Sequence, residues 1–164
     1  MPKIIFAFMA LILTTGPVAA QNYVGLSGGL MGYEDSGANI DSQGLTFFAG
    51  GQINAFAAIE FSYTSIANLD SNDQNTDASL LALSGILRSP GEGFEPFLRL
   101  GMVRGEAEIT GANNNYDESK NGVIYGLGAD IPLNYNTTIR IEYVETDMNG
   151  AETDALSAGA LYRF

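Results

Sequence analysis

Read back from its C-terminus, the chain alternates: Phe164, Tyr162, Ala160, Ala158 and Leu156 form one non-polar row, with Arg163, Gly159 and Ser157 on the other face. A period of two sends successive side chains to opposite faces of a strand. Chain ends are usually frayed, so an aromatic terminus in phase with an apolar row reads as an edge to be paired. Seven earlier segments of roughly ten residues carry the same period. In the first, Val24, Leu26, Gly28 and Leu30 oppose Tyr23, Gly25, Ser27 and Gly29. The second, 44–53, sets Leu45, Phe47, Ala49 and Gly51 against Thr46, Phe48, Gly50 and Gln52. The third follows a tight turn at Asn54 and Ala55, with Ala57, Ile59, Phe61 and Tyr63 opposite Ala58, Glu60, Ser62 and Thr64.

The fourth segment, 78–88, fits neither phase fully, because Leu80, Leu81, Leu83, Ile86 and Leu87 occupy both. The fifth places Leu98, Leu100 and Met102 away from Arg99, Gly101 and Val103. In the sixth, Val123, Tyr125, Leu127 and Ala129 oppose Gly126, Gly128 and Asp130, and Pro132 ends the strand where a missing donor is tolerated. The seventh sets Ile139, Ile141 and Tyr143 against Arg140 and Glu142. Eight antiparallel strands are therefore expected. Connections near 54–55, 89–93 and 132–136 are short; those near 34–43, 68–77, 106–120 and 146–153 are long and rich in Asn, Asp, Ser and Gly. Short turns on one side and long loops on the other is the layout of a transmembrane barrel, with both termini on the short-turn, periplasmic side.

Which face meets which solvent follows from bulk. Eight strands' worth of Leu, Ile, Phe and Tyr would overfill a small lumen, whereas the Gly/Ser/Thr face suits it. Nine to eleven tilted residues, roughly the length of each segment, cross the hydrocarbon layer, and closure removes the edges that a membrane does not tolerate. A soluble secreted lipocalin-type barrel is the rival fold; it predicts an apolar interior, and the chain has no tryptophan for that family's Gly-x-Trp signature.

Composition adjusts the picture in three places. Residues 1–20 open with Lys3, run through the apolar 4–13 stretch and end in Val18-Ala19-Ala20, as a secretory signal peptide does, leaving 21–164 as the barrel domain. Six bases against 19 acids then remain, which argues against nucleic acid as a partner, since phosphate recognition needs basic patches. With no cysteine, no disulfide holds the exported fold. With no histidine, the usual tunable base of catalysis is missing; no phosphate loop, zinc spacing or nucleophile elbow stands out either, so neither enzymatic activity nor a cofactor is expected.

The ending Leu161-Tyr162-Arg163-Phe164, the fifth-strand opening Glu95-Pro96-Phe97-Leu98-Arg99-Leu100-Gly101 and the third-strand core Ala58-Ile59-Glu60-Phe61 resemble those of the small eight-stranded outer-membrane barrels of Gram-negative bacteria, called OmpA-like, OmpX-like or opacity-type and often described as porin-like. The resemblance covers roughly residues 22–164. It implies that the barrel-assembly machinery reads the terminal aromatic strand, so Tyr162 and Phe164 carry the role of assembly signal. It further implies a monomer in contact with outer-membrane lipid and lipopolysaccharide. The chain departs from the large member that names the family, which continues into a peptidoglycan-binding domain. Lacking tryptophan, its aromatic girdle falls to Tyr33, Tyr63, Tyr135, Tyr143 and Tyr162.

Two groups of residues are candidates for chemistry. The inward phase puts Glu60, Arg99, Asp130, Arg140 and Glu142 in the lumen, where charges must be paired or wet; they form either a structural plug or a gated ion path. The long connections, with Glu145 and Asp154 at their edges, hold 14 of the 19 acids. Within them Asp70, Asp73 and Asp77 have oxygen ligands for Ca²⁺ but lack the EF-hand glycine and terminal Glu, so solvated acidic loops are the plainer reading. Arg104, on the lipid-facing phase, is placed either to meet lipopolysaccharide phosphates or to snorkel to the interface. The functional expectation is a structural or surface-interaction barrel presenting acidic extracellular loops. A small channel or transporter of ions or hydrophobic solutes is the first alternative, and an adhesin the second.

Overall fold

The computed structural model describes residues 21–164 except 36–37, 68–74, 92, 111–114 and 149–150. The expected signal peptide, 1–20, lies outside the described residues. Eight strands run in chain order: β1 (Asn22–Asp35), β2 (Ala38–Asn54), β3 (Ala57–Ala67), β4 (Asn75–Arg88), β5 (Glu95–Thr110), β6 (Asn115–Pro132), β7 (Thr137–Met148) and β8 (Ala151–Arg163). Each pairs antiparallel with its sequence neighbour, and β8 closes on β1, with Tyr23 opposite Arg163 and Leu30 opposite Leu156. An even number of strands brings the chain back to the rim it left. Asn22 N donates to Phe164 O at 3.2 Å and Phe164 N to Asn22 O at 2.9 Å, so the C-terminal aromatic is indeed a paired edge.

The short turns form where polar punctuation predicts them, one residue displaced at most. At the β2–β3 turn, Asn54 Oδ1 accepts from Phe56 N at 2.8 Å. At the β6–β7 turn, Asn134 Oδ1 accepts from both Asn136 N and Thr137 N, at 2.9 and 2.8 Å. Gly93, in the β4–β5 turn, has φ +82°, a conformation that costs glycine alone nothing.

At the far end the expected long loops are mostly ladder. Pairing between β1 and β2 continues to Asp35 opposite Ala38, between β5 and β6 to Thr110 opposite Asn115, and between β7 and β8 to Met148 opposite Ala151. Backbone hydrogen bonds hold a ladder whatever its side chains. Beyond the hydrocarbon nothing selects for an apolar outer face, so the alternation that signals a strand disappears while the strand goes on.

The barrel is inside out relative to a soluble one. Leu30, Leu87, Leu98, Leu100, Met102 and Leu127 are each at least 60% exposed on the outer face, a belt far beyond the scattered apolar surface of a soluble monomer. The lumen instead buries charged and hydroxyl side chains, which removes the lipocalin-type alternative. Its apolar content is confined to two levels. Nearer the short turns, Tyr23, Phe48, Ala58, Ile86, Phe97 and Leu161 pack together. Farther up, Ala82, Val103, Ile124 and Met148 do so, with Leu80 and Val144 against them. This explains the confused phase of β4: Leu83 and Leu87 face out, while Leu80, Ala82 and Ile86 serve the two inner levels.

Inward glycines make room for the lower level. Tyr23 lies opposite Gly50 and Phe48 opposite Gly25, and Phe97 opposite Gly128. A Cβ on any of these three glycines would overlap the facing ring, the cross-strand aromatic-over-glycine pairing that helps fix register.

Candidate functional site

The five charged residues expected in the lumen converge on one cluster. Glu60, fully buried on β3, accepts from Arg99 Nη2 of β5 through Oε1 and from Arg140 Nη1 of β7 through Oε2, the latter at 2.6 Å. Arg99 also grips Glu142, with Nη2 donating to Oε2 at 3.1 Å and Nε donating to Oε1. Arg140 grips Asp130 by two parallel bonds, Nε to Oδ1 at 2.8 Å and Nη2 to Oδ2 at 2.9 Å. Such fork-on-carboxylate pairs are among the strongest hydrogen bonds a protein makes.

The cluster is larger than phase alone indicates. The Tyr23 hydroxyl donates to Glu60 Oε2 at 2.8 Å. Arg163 Nη2 lies 3.7 Å from Asp130 Oδ2 and 3.1 Å from Glu95 Oε2, which is 3.8 Å from Arg88 Nη1. Four carboxylates and four guanidiniums thus form a connected, neutral set across the lumen. Aromatic rings complete it: the Arg140 guanidinium stands 4.6 Å from the Phe97 ring centre and 4.9 Å from that of Phe48, close enough for cation–π attraction. Arg163 stands on the inward face with Ser157 and Gly159, as the alternation of the closing strand predicts, and Glu95 shares the inward phase of Phe97 and Arg99, so it was findable by extending the alternation to the strand end. Arg88 was hidden by the mixed phase of β4.

Above the charges lies a cavity of about 70 Å³, lined by Ser27, Thr46, Ser62, Thr64 and Ser157 and floored by Arg99 and Glu142. Arg99 Nη1 is buried without a hydrogen-bond partner among the described residues. A space of this size holds a few waters along its hydroxyl and guanidinium side. Its far side is the upper apolar level, where Met148 lies against Gly105 and Met31 against Gly44. Ion pairs therefore cross the lumen below the cavity, and apolar side chains line it above.

The remaining sequence candidates scatter. Asp70 and Asp73, and the side chain of Asp77, lie outside the described residues, as does the side chain of Tyr33. Arg104 points outward from β5 and pairs with Glu106 at 3.1 Å, both side chains more than half exposed. Tyr162 and Phe164 stack on the outer face, ring centres 6.5 Å apart. Tyr135 stands almost fully exposed in the β6–β7 turn, and Tyr63 and Tyr143 face out at the other edge of the apolar belt, so the girdle has members on both rims.

A family model described as outer membrane protein beta-barrel domain matches residues 5–164. The chain belongs to that family. This outer-membrane barrel is similar in fold to Neisserial surface protein A, at TM-score 0.78 and 16% identity, covering 87% of this chain and 97% of that one. It is also similar to the attachment invasion locus protein Ail of Yersinia pestis in complex with a heparin analogue, sucrose octasulfate, at TM-score 0.70 and 15% identity over 88% of this chain and 99% of that one. The N-terminal barrel domain of Pseudomonas aeruginosa OprF gives TM-score 0.67 and 15% identity over 88% and 99%. Comparison with curated protein sequences gives no match. Membership places the barrel in the bacterial outer membrane, and its apolar belt is the surface that the hydrocarbon requires.

Proposed function

We propose that this outer-membrane barrel is a closed structural and surface-interaction protein rather than a conduit. The observation that carries the reading is the lumen network, in which every carboxylate is answered by a guanidinium and the gaps are closed by Tyr23, Phe48 and Phe97. An eight-stranded barrel has an interior just wide enough for its side chains, and ion pairs that span β3, β5, β6, β7 and β8 tie the wall together. In this reading the short-turn rim with both chain ends faces the periplasm. The far rim, which carries Glu145, Asp147, Glu152 and Asp154, faces outward as an acidic surface beside lipopolysaccharide. Tyr162 and Phe164 serve assembly, and the barrel acts as a monomer without metal or cofactor.

Planar-bilayer recording and liposome swelling test this directly. The wild-type barrel is expected to be silent to small ions and sugars. Steady unitary conductance would overturn the reading in favour of the channel alternative, for which the hydrated cavity above Arg99 is the supporting feature. The adhesin alternative draws on Ail, whose crystal structure holds a heparin analogue. The acidic far end of β7 and β8, with Glu145, Asp147, Glu152 and Asp154, disfavours a polyanion as the ligand here, so an adhesive role would be directed at a protein or cationic surface.

A further inference from the structure

The short-turn mouth of the lumen holds more guanidinium than its acids satisfy. Arg88, the last residue of β4, Glu95, the first of β5, and Arg163, the last of β8, stand at strand ends around that mouth. A single oxygen serves both bases: Glu95 Oε2 accepts from Arg163 Nη2 at 3.1 Å and lies 3.8 Å from Arg88 Nη1, beyond hydrogen-bond reach. Arg88 Nε, Nη1 and Nη2 and Arg163 Nε are buried with no hydrogen-bond partner among the described residues. The Arg88 side chain is only 3% exposed. Asp130 brings little relief, because both its oxygens already accept from Arg140 and Arg163 Nη2 stays 3.7 Å away. The Tyr23 ring, 5.8 Å from the Arg88 guanidinium, offers only its π face.

Charge in the network is neutral in sum but unevenly placed. Glu60, Asp130 and Glu142 face Arg99 and Arg140, one negative charge in excess; Arg88 and Arg163 face Glu95, one positive charge in excess. That excess decides what the free donors take. A guanidinium only donates, and buried charged donors are costly without acceptors. Water answers the donors and leaves the charge, whereas an anion answers both. The free donor at the cavity above, Arg99 Nη1, lies on the negative side of this division, and there water suffices. The side chains of Arg163 and Glu95, 11% and 16% exposed, form the open edge of the group at the mouth.

We propose that the short-turn mouth is an anion site: it holds one small monovalent anion, a halide or a compact carboxylate, between Arg88 and Arg163, with Glu95 as the competing internal acceptor. The occupant is small because Phe97, the register partner of Arg88, and the Tyr23 ring already fill the lumen beside it. It is monovalent because one positive charge is in excess. The site needs only the water-facing mouth and stands whether or not the lumen conducts.

The test follows urea unfolding of the full barrel in phosphatidylcholine vesicles while sodium chloride or sodium formate replaces sodium gluconate stepwise at constant ionic strength. An ion that binds only the folded state raises the midpoint as its concentration rises. Chloride and formate stand for the halide and carboxylate sources; gluconate, a carboxylate too large for the mouth, holds screening constant. Wild type is expected to gain stability in chloride, in formate or in both, and the larger gain names the anion. Arg88→Met, which keeps the length without donors or charge, abolishes the gain. Glu95→Gln, which removes the competing carboxylate, lowers the concentration needed by about tenfold. This second variant decides the matter should gel mobility show that Arg88→Met does not fold, because its effect is a tightening that structural damage does not mimic. Arg104→Ala, which removes an exposed base outside the lumen, leaves the response as in wild type. Equal midpoints in all three salts would mean that water alone meets these donors and would overturn the proposal. A gain that survives Arg88→Met, one that weakens in Glu95→Gln, or one lost in Arg104→Ala would do the same.

Discussion

Replacing Glu60 with glutamine removes one negative charge at nearly constant volume, which makes it the sharpest probe of the lumen network. In the native barrel this carboxylate accepts from Arg99, Arg140 and Tyr23 while fully buried. Glutamine offers one carbonyl oxygen and must point its amide donors at a guanidinium or a hydroxyl. At least one charge-assisted bond is lost, and such bonds contribute about 1.5–3 kcal/mol each. The neutral set is also left with one uncompensated cation, and breaking a buried pair from one side costs about 3–5 kcal/mol. The two arginines are not stranded, because Arg99 keeps Glu142 and Arg140 keeps Asp130. We therefore expect a loss of about 3 kcal/mol, at the lower end of that range.

Urea unfolding of the barrel in lipid vesicles, followed by circular dichroism and gel mobility, measures the loss as a lower midpoint with an unchanged slope. Conductance measured on the same variant is expected to stay at background, since Phe48, Phe97 and Tyr23 still surround Arg140. A stability change below about 1 kcal/mol, the value of an exposed ion pair, would refute the view that Glu60 is the dry hub of the network.

Four further perturbations separate the parts of the structure. Gly128→Ala drives a methyl group into the Phe97 ring and should cost about 1–3 kcal/mol by overpacking. Gly28→Ala on the outer face, where the nearest atom is 3.9 Å away, should be close to neutral in the same unfolding assay. Arg104→Ala removes an exposed pair with Glu106 and should change stability by less than about 1 kcal/mol; a larger effect would mean that Arg104 engages more than its neighbour. Deleting Phe164 removes the stacked terminal ring and its backbone pairing with Asn22, and should reduce the fraction of chain inserted into membranes far more than it alters the stability of molecules that do insert. Normal insertion of the truncated chain would dispose of the assembly role.

The alternation fixed what alternation can reach. Strand number, the lipid and lumen faces, and the inward placing of Glu60, Arg99, Asp130, Arg140 and Glu142 all follow from a period of two in segments such as β3 and β7. Which of those charges touch is set by strand tilt and shear, and no local pattern encodes it. Glu60 meets Arg140 across four strands because the lumen is narrow, and Tyr23 reaches Glu60 because Gly50 leaves room between them. Arg88 escaped notice for a physical reason: a strand that serves two apolar levels of the lumen carries leucine and isoleucine on both faces, so its phase is blurred. The far ends of β2, β5 and β6 escaped because nothing outside the hydrocarbon selects for alternation, while the backbone ladder persists.

Charge is segregated as strictly as polarity. Four of the six bases in residues 21–164 lie inside the barrel, each against a carboxylate, so the network contributes no net charge. The surplus of 13 acids in residues 21–164 therefore lies outside the network, where Arg104 and Lys120 are the remaining bases. Arginine suits the interior because its planar fork satisfies two oxygens at once and stays charged when desolvated. Acids suit the rim because unpaired carboxylates stay hydrated and keep strand ends from pairing with other chains. The same division separates two kinds of constraint on the sequence. Inside, a charge change alters folding because its partner is fixed and dry. On the rim it alters what the surface attracts and leaves the wall intact, so recognition can vary there while the ion-paired lumen is held constant.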